Sequence, residues 1–171
     1  MVLVMGAAAL KGVAAQIAVP LPFTPVPLSL QTLTVLLAGA ALGPMRGGVA
    51  MLMYIVAGTA GTPWFSEQRS GFDFPSFGYI LGFVLAAIVV GALARRGADR
   101  TVAGTIGLMI IGNLMIYAVG VAWLANSLGL SVPRALELGA MPFLIGDAIK
   151  ILLAAGLLPG AWRLIGDRRR S

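Results

Sequence analysis

Cysteine and histidine are both missing from the chain, and each absence removes a class of chemistry. Without thiols there is no disulfide framework, no thiolate nucleophile and no zinc or haem site from the usual ligands. Without imidazole there is no serine–histidine triad and no histidine acid–base catalysis. No metal and no cofactor is expected. Charge is scarce as well: 11% of the 171 residues are charged, against about 25% in a soluble domain. No Walker-type phosphate loop occurs, and "GLLPGAWRL" is not one, so the chain by itself does not hydrolyse ATP.

What remains is apolar. Hydrophobic residues make up 59% of the sequence, and this length accommodates about five to seven membrane spans of ~20 residues. The expected class is all-α: a polytopic membrane protein with six transmembrane helices in a single transmembrane domain over residues 1–171. The spans are placed at about 1–19, 28–43, 48–63, 77–94, 101–128 and 140–165. The first run has no basic stretch ahead of it and is followed by further spans, so it reads as a helix rather than a cleaved leader. The breaks are legible as chemistry. "VPLPFTPVPLS" carries prolines at 20, 22, 25 and 27, which forbid a regular helix. "GPMRGG", the polar aromatic loop "PWFSEQRSGFDFPSF", "RRGADR" and "GLSVPRALELG" separate the remaining runs.

The net charge is +6, but its placement argues against a nucleic-acid partner. With both termini cytoplasmic, Arg46, Arg95, Arg96, Arg100, Arg163, Arg168, Arg169 and Arg170 fall inside, and Arg69 and Arg134 fall outside. That is the positive-inside asymmetry. The Pro-rich loop, the aromatic loop and the start of the last helix then share the outer face, and the partner in contact with most of the surface is the lipid bilayer.

Against this background "PFLIGDAIK", residues 142–150, stands out. Asp147 and Lys150 are three apart on one helix face, about seven residues or ~10 Å below its outer end. Phe143 and Ala154 continue the same stripe. One reading is a structural ion pair holding helices together, although desolvation offsets the attraction of such a pair. The other is the floor of a binding pocket, since ionisable groups inside a span are expensive and usually functional. In that reading Asp147 accepts N–H donors from a ligand and Lys150 donates to a carbonyl or carboxylate. The Pro-rich loop is either a stiff connection or a lid carrying Phe23 and Thr24. Gln31 and Thr32, just beyond it, offer uncharged hydrogen bonds to a pocket. In the first helix, Ala8 and Gly12 have the small-xxx-small spacing that admits a close helix neighbour, from the same chain or another. Lys11 beside them either snorkels or faces a partner. Asn113 reads as interhelical glue or a pocket contributor, Trp123 as an interfacial anchor, and Tyr117 stays unassigned.

Three stretches, "PLPFTPVPLSLQTLTVLLAGAALGPMRGG", "GYILGF" and "PFLIGDAIK", follow one another as they do in the BioY family. This chain resembles those proteins, the biotin-binding S components of energy-coupling-factor (ECF) vitamin transporters, over nearly its whole length. The resemblance implies the six-helix S-component fold, capture of biotin from outside the bacterial cytoplasmic membrane, and no enzymatic activity. It implies that Asp147 accepts a ureido N–H of biotin and that Lys150 donates to the ureido oxygen or the carboxylate. Phe143, Trp64 and Tyr79 would flank the thioether ring, and Arg69 would meet the valerate carboxylate. It further implies partners: a transmembrane coupling protein touching Ala8 and Gly12, and a pair of ATPase subunits. The first and third loops would roof the pocket and close over the ligand. The rival readings are an S component for another vitamin or a biotin precursor, an intramembrane enzyme using Asp147 as a base, and a purely structural bundle.

Overall fold

A computed structural model describes residues 1–168, with side chains through Trp162. Arg169 and Arg170, and the side chains of Arg163 and Arg168, all assigned above to the inner side, therefore lie outside the described residues. The chain is mostly helical: α1 (Val2–Gln16), α2 (Gln31–Thr59), α3 (Phe77–Arg95), α4 (Val102–Leu128), α5 (Val132–Gly139) and α6 (Leu144–Arg168), with single 3-10 turns at Ser66–Gln68 and Met141–Phe143. Among the described residues four stretches are long and apolar enough to cross a membrane: α2, α3, α4 and the run from Val132 to Trp162.

The long α2 is not one rod. Gly43 interrupts it with φ 79 and ψ 175, a conformation available in practice to glycine alone, and Pro44 follows as a helix-starting residue with no N–H to satisfy. The two halves lie against each other on either side of this point. A Cβ on Gly47 would come within 3.0 Å of the Gly39 Cα, and the Tyr54 hydroxyl reaches Gln31 Oε1 at 3.2 Å. The stretches expected at 28–43 and 48–63 are thus one run reversed at a single residue, ending at Thr59. α3 packs along both: a Cβ on Gly91 would fall 2.5 Å from the Gly43 carbonyl carbon and the Pro44 nitrogen.

α4 is capped at both ends. Thr101 Oγ1 accepts from the Gly104 N–H at 3.1 Å, and Gly129 closes the helix in the left-handed conformation at φ 63. α5, in the stretch read from sequence as a loop, is an additional eight-residue helix. It is too short to hold itself together and is anchored by its own Ala135, which is fully buried. α6 starts at Leu144 rather than 140, because Met141–Phe143 forms a 3-10 turn around Pro142 first.

The Pro-rich loop is tied down at its base by a two-residue antiparallel ladder, Ala18 to Ser29 and Val19 to Leu28. Its tip is fixed where Thr24 Oγ1 donates to the Leu138 carbonyl of α5 at 2.6 Å.

Burial is inverted relative to a soluble bundle. Along α6, Ile145, Ile149 and Leu152 are exposed, Ile145 by 78%, while Asp147 is 4% exposed and Lys150 9%. α1 likewise exposes Val2, Met5, Leu10 and Val13 and buries Lys11 completely. An apolar exterior, with the few charged side chains of these spans turned into the bundle, is what a bilayer solvent selects.

Candidate functional site

α6 supplies the acidic pole of the site. The turn at Met141–Phe143 aims Phe143 inward, and one turn later Asp147 and Lys150 project from the same face, Lys150 Nζ to Asp147 Oδ1 3.2 Å. Lys150 Nζ also donates to Thr32 Oγ1 on α2 at 2.9 Å. The Tyr117 hydroxyl of α4 donates to the other carboxylate oxygen, Asp147 Oδ2. Asp147 therefore receives one donor on each oxygen and keeps lone pairs free for a ligand.

α2 supplies the opposite pole, organised around Gln31. Its Oε1 accepts from Lys11 Nζ at 2.6 Å and from the Tyr54 hydroxyl at 3.2 Å. Its Nε2 donates to Ser66 Oγ at 2.5 Å and to Ser29 Oγ at 3.2 Å. Ser66 is presented by a tight turn in which Glu67 and Gln68 both take positive φ, 62 and 56.

Between these poles lies a cavity whose wall mixes polar, aromatic and aliphatic side chains. Of the residues expected from sequence to bind a ligand, Asp147, Lys150, Phe143, Tyr79, Gln31 and Thr32 line it. Two loops contribute to its wall: Val26 to Ser29 from the Pro-rich loop, and Ser66, Phe74 and Ser76 from the loop after α2. Tyr79 is locked by its hydroxyl, which donates to the Gly139 carbonyl at 2.8 Å, and its ring meets Tyr117 edge-on with centroids 6.4 Å apart.

Three expected ligand contacts are placed elsewhere. Trp64 lies outside the cavity wall; its indole N–H donates to the Tyr54 carbonyl at 2.9 Å and its ring packs on Tyr54. Arg69 is held by Glu67 at 2.6 Å, with its guanidinium over Phe74. Phe23, at the loop tip, is 61% exposed. The proposed partner stripe also needs correcting. Ala8 is buried in the core, and a Cβ on Gly12 would sit 3.0 Å from the Trp64 ring. The chain's own side chains fill that face, while Val2, Gly6, Ala9 and Val13 line the exposed one. Lys11 neither snorkels nor faces outward.

The sequence reading did not assign Tyr117, Phe83, Phe74 or Ser66 to the site. Phe83 carried a usable signal, since it lies one helical turn from Tyr79 on the same face. Tyr117 and Ser66 carried none, because their partners are brought in by the tertiary fold.

An apolar shell around a cavity with a mixed polar and aromatic wall defines a membrane-embedded small-molecule-binding protein. The chain belongs to the BioY family, which matches residues 1–167. It is 36% identical over 147 residues to the biotin transporter BioY of Rhizobium etli, covering 80% of this chain and 78% of that protein. It is 37% identical over 149 residues to the probable biotin transporter BioY of Pyrococcus horikoshii, covering 85% of each. The fold is shared with a crystal structure of the S-component for biotin from an ECF-type ABC transporter. The TM-score is 0.83 at 22% identity, over 94% of this chain and 88% of the other.

Proposed function

We propose that this chain binds biotin from the outer side of a bacterial cytoplasmic membrane and acts as the substrate-capture subunit of an ECF uptake transporter, not as an enzyme. The observation that carries the reading is the acidic pole: a buried Asp147 flanked by Lys150, Thr32 and Tyr117, facing an otherwise aromatic and aliphatic cavity. A ureido ring offers two N–H donors and one carbonyl acceptor. Asp147 takes the N–H groups, Lys150 donates to the carbonyl, and Tyr79, Phe83 and Phe143 cover the apolar ring system. Because these polar groups are held by one another before the ligand arrives, little ordering is left for binding.

Six crossings with both termini cytoplasmic accompany this reading. The reversal at Gly43 supports it by dividing α2 into two antiparallel halves. The family resemblance supports a coupling protein and ATPase subunits as partners, since this sequence lacks a phosphate loop.

Titration calorimetry of the purified protein with biotin tests the assignment, with desthiobiotin, thiamine and riboflavin as competitors. Tight binding of biotin that Asp147→Asn abolishes is the expected result. A well-folded protein that ignores biotin but takes thiamine or riboflavin would reassign the ligand within the same scaffold.

A further inference from the structure

Two ammonium groups and one carboxylate surround the cavity. Lys150 is matched by Asp147. Lys11 is not matched by any carboxylate among the described residues. It is 0% exposed, and its polar partner is the neutral amide of Gln31. Two aromatic rings also lie against it, Phe83 with its centroid 3.7 Å from Nζ and Tyr54 at 5.1 Å. The other buried carboxylate, Asp99, accepts from Trp162 Nε1 at 2.7 Å, beyond the opposite end of α3 from Tyr79. Ring faces offset part of the desolvation of an ammonium, but a lone cation in a membrane interior remains expensive.

Two of the groups touching Lys11, Gln31 and Phe83, line the cavity, so the charge lies one side chain behind its wall. An ammonium can only donate, which fixes the oxygen of Gln31 toward Lys11 and Tyr54 and turns its amide nitrogen toward Ser29 and Ser66. Both serines line the cavity. This end is therefore positive in charge and poor in free acceptors, the complement of the acidic pole at Asp147.

We infer that Lys11 supplies the counter-charge for an anionic group of the ligand. Resting on the biotin reading above, this draws the valerate carboxylate to the wall formed by Gln31, Ser29 and Ser66, while the ureido ring occupies the pole at Asp147 and Lys150. Lys11 is a positioning residue: it acts through Gln31 and across the wall without touching the ligand. It takes the role that the resemblance gave to Arg69, whose guanidinium is engaged by Glu67.

The test compares biotin with biotinamide, which keeps the ring system and chain and loses the charge. Binding of both is measured for the full chain and for Lys11→Met, Lys11→Gln and Arg69→Gln. Lys11→Gln keeps a donor for Gln31 and removes only the charge. The wild type is expected to prefer biotin by roughly tenfold, the attraction of a charge pair about 12 Å apart at an effective dielectric constant of about 20. In both Lys11 variants the preference should fall toward one, with biotinamide affinity kept within about threefold. Arg69→Gln should keep the preference. A purely structural Lys11 would weaken both ligands equally. A wild-type preference near one, or one that survives both Lys11 variants, overturns the inference and leaves the biotin reading standing. A wild type that binds neither compound overturns the reading and the inference together.

Discussion

Asp147 holds two donors at once, so its variants have separable outcomes. Asp147→Asn leaves the Lys150 ammonium buried with one neutral partner in Thr32. Binding is expected to weaken by about a hundredfold or more, because hydrogen bonds to charged groups contribute about 1.5–3 kcal/mol and the stranded cation adds to the loss. Calorimetry reads this directly. Tyr117→Phe removes one donor from Asp147 and keeps the ring. A milder loss of about fivefold to tenfold is expected, near 1 kcal/mol, with the thermal transition little changed. Exchanging the pair, Asp147→Lys with Lys150→Asp, should leave a folded protein that no longer binds, and retained binding would mean the pair is only structural. Asp147 and Lys150 were legible because two charges in an apolar run have few ordinary explanations. Tyr117 was not, since a tyrosine in a span has many, and its partner lies thirty positions away on another helix.

Among the elements, α2 depends most on one residue. At φ 79 and ψ 175 Gly43 holds a conformation that L side chains rarely adopt, and a Cβ there, 2.8 Å from Arg95 Nε, would also make the Arg95 side chain shift. Gly43→Ala is expected to destabilise the protein by about 2 kcal/mol, seen as a lower melting temperature in detergent with ligand stoichiometry intact. Gly91→Leu should be more damaging, since its side chain would press on the backbone of the reversal itself. The sequence showed that "GPMRGG" breaks a helix, because glycine and proline mark such points plainly. It did not show that the break is one residue long, which depends on α3 packing across it. α5 was invisible for a related reason. Eight residues carry too little periodicity to read, and the helix is held by Ala135 in the core and by Thr24 bonding to Leu138.

At the scale of the whole molecule, the apolar exterior and the arginine asymmetry make a claim about sidedness that the missing cysteines make easy to test. Met45→Cys and Phe23→Cys each introduce a lone thiol at an exposed position, 74% and 61% accessible respectively. In intact cells a membrane-impermeant maleimide should label position 23 and not position 45, and both should label after permeabilisation. Labelling of position 45 from outside would reverse or break the six-crossing topology. The class of fold was readable from composition alone, because a chain this apolar has only the bilayer as solvent. The match between the two poles of the cavity was not, since Lys11, Gln31 and Asp147 meet only after three helices have packed.

The strap formed by residues 18–29 is anchored by two ladder pairs and by Val26 in the core, while its tip is tied by the Thr24 hydroxyl bond, and the consequence of that last tie is temporal. If, in the proposed capture of biotin, the strap closes over both the empty and the filled cavity, a contact at its tip enters the barrier for arrival and for escape alike. Thr24→Val is therefore expected to speed association and dissociation by similar factors while Kd stays within about twofold, a pattern that stopped-flow fluorescence would separate from any loss of affinity. Residence time is then set at the strap and equilibrium at the poles, so the two can be adjusted independently.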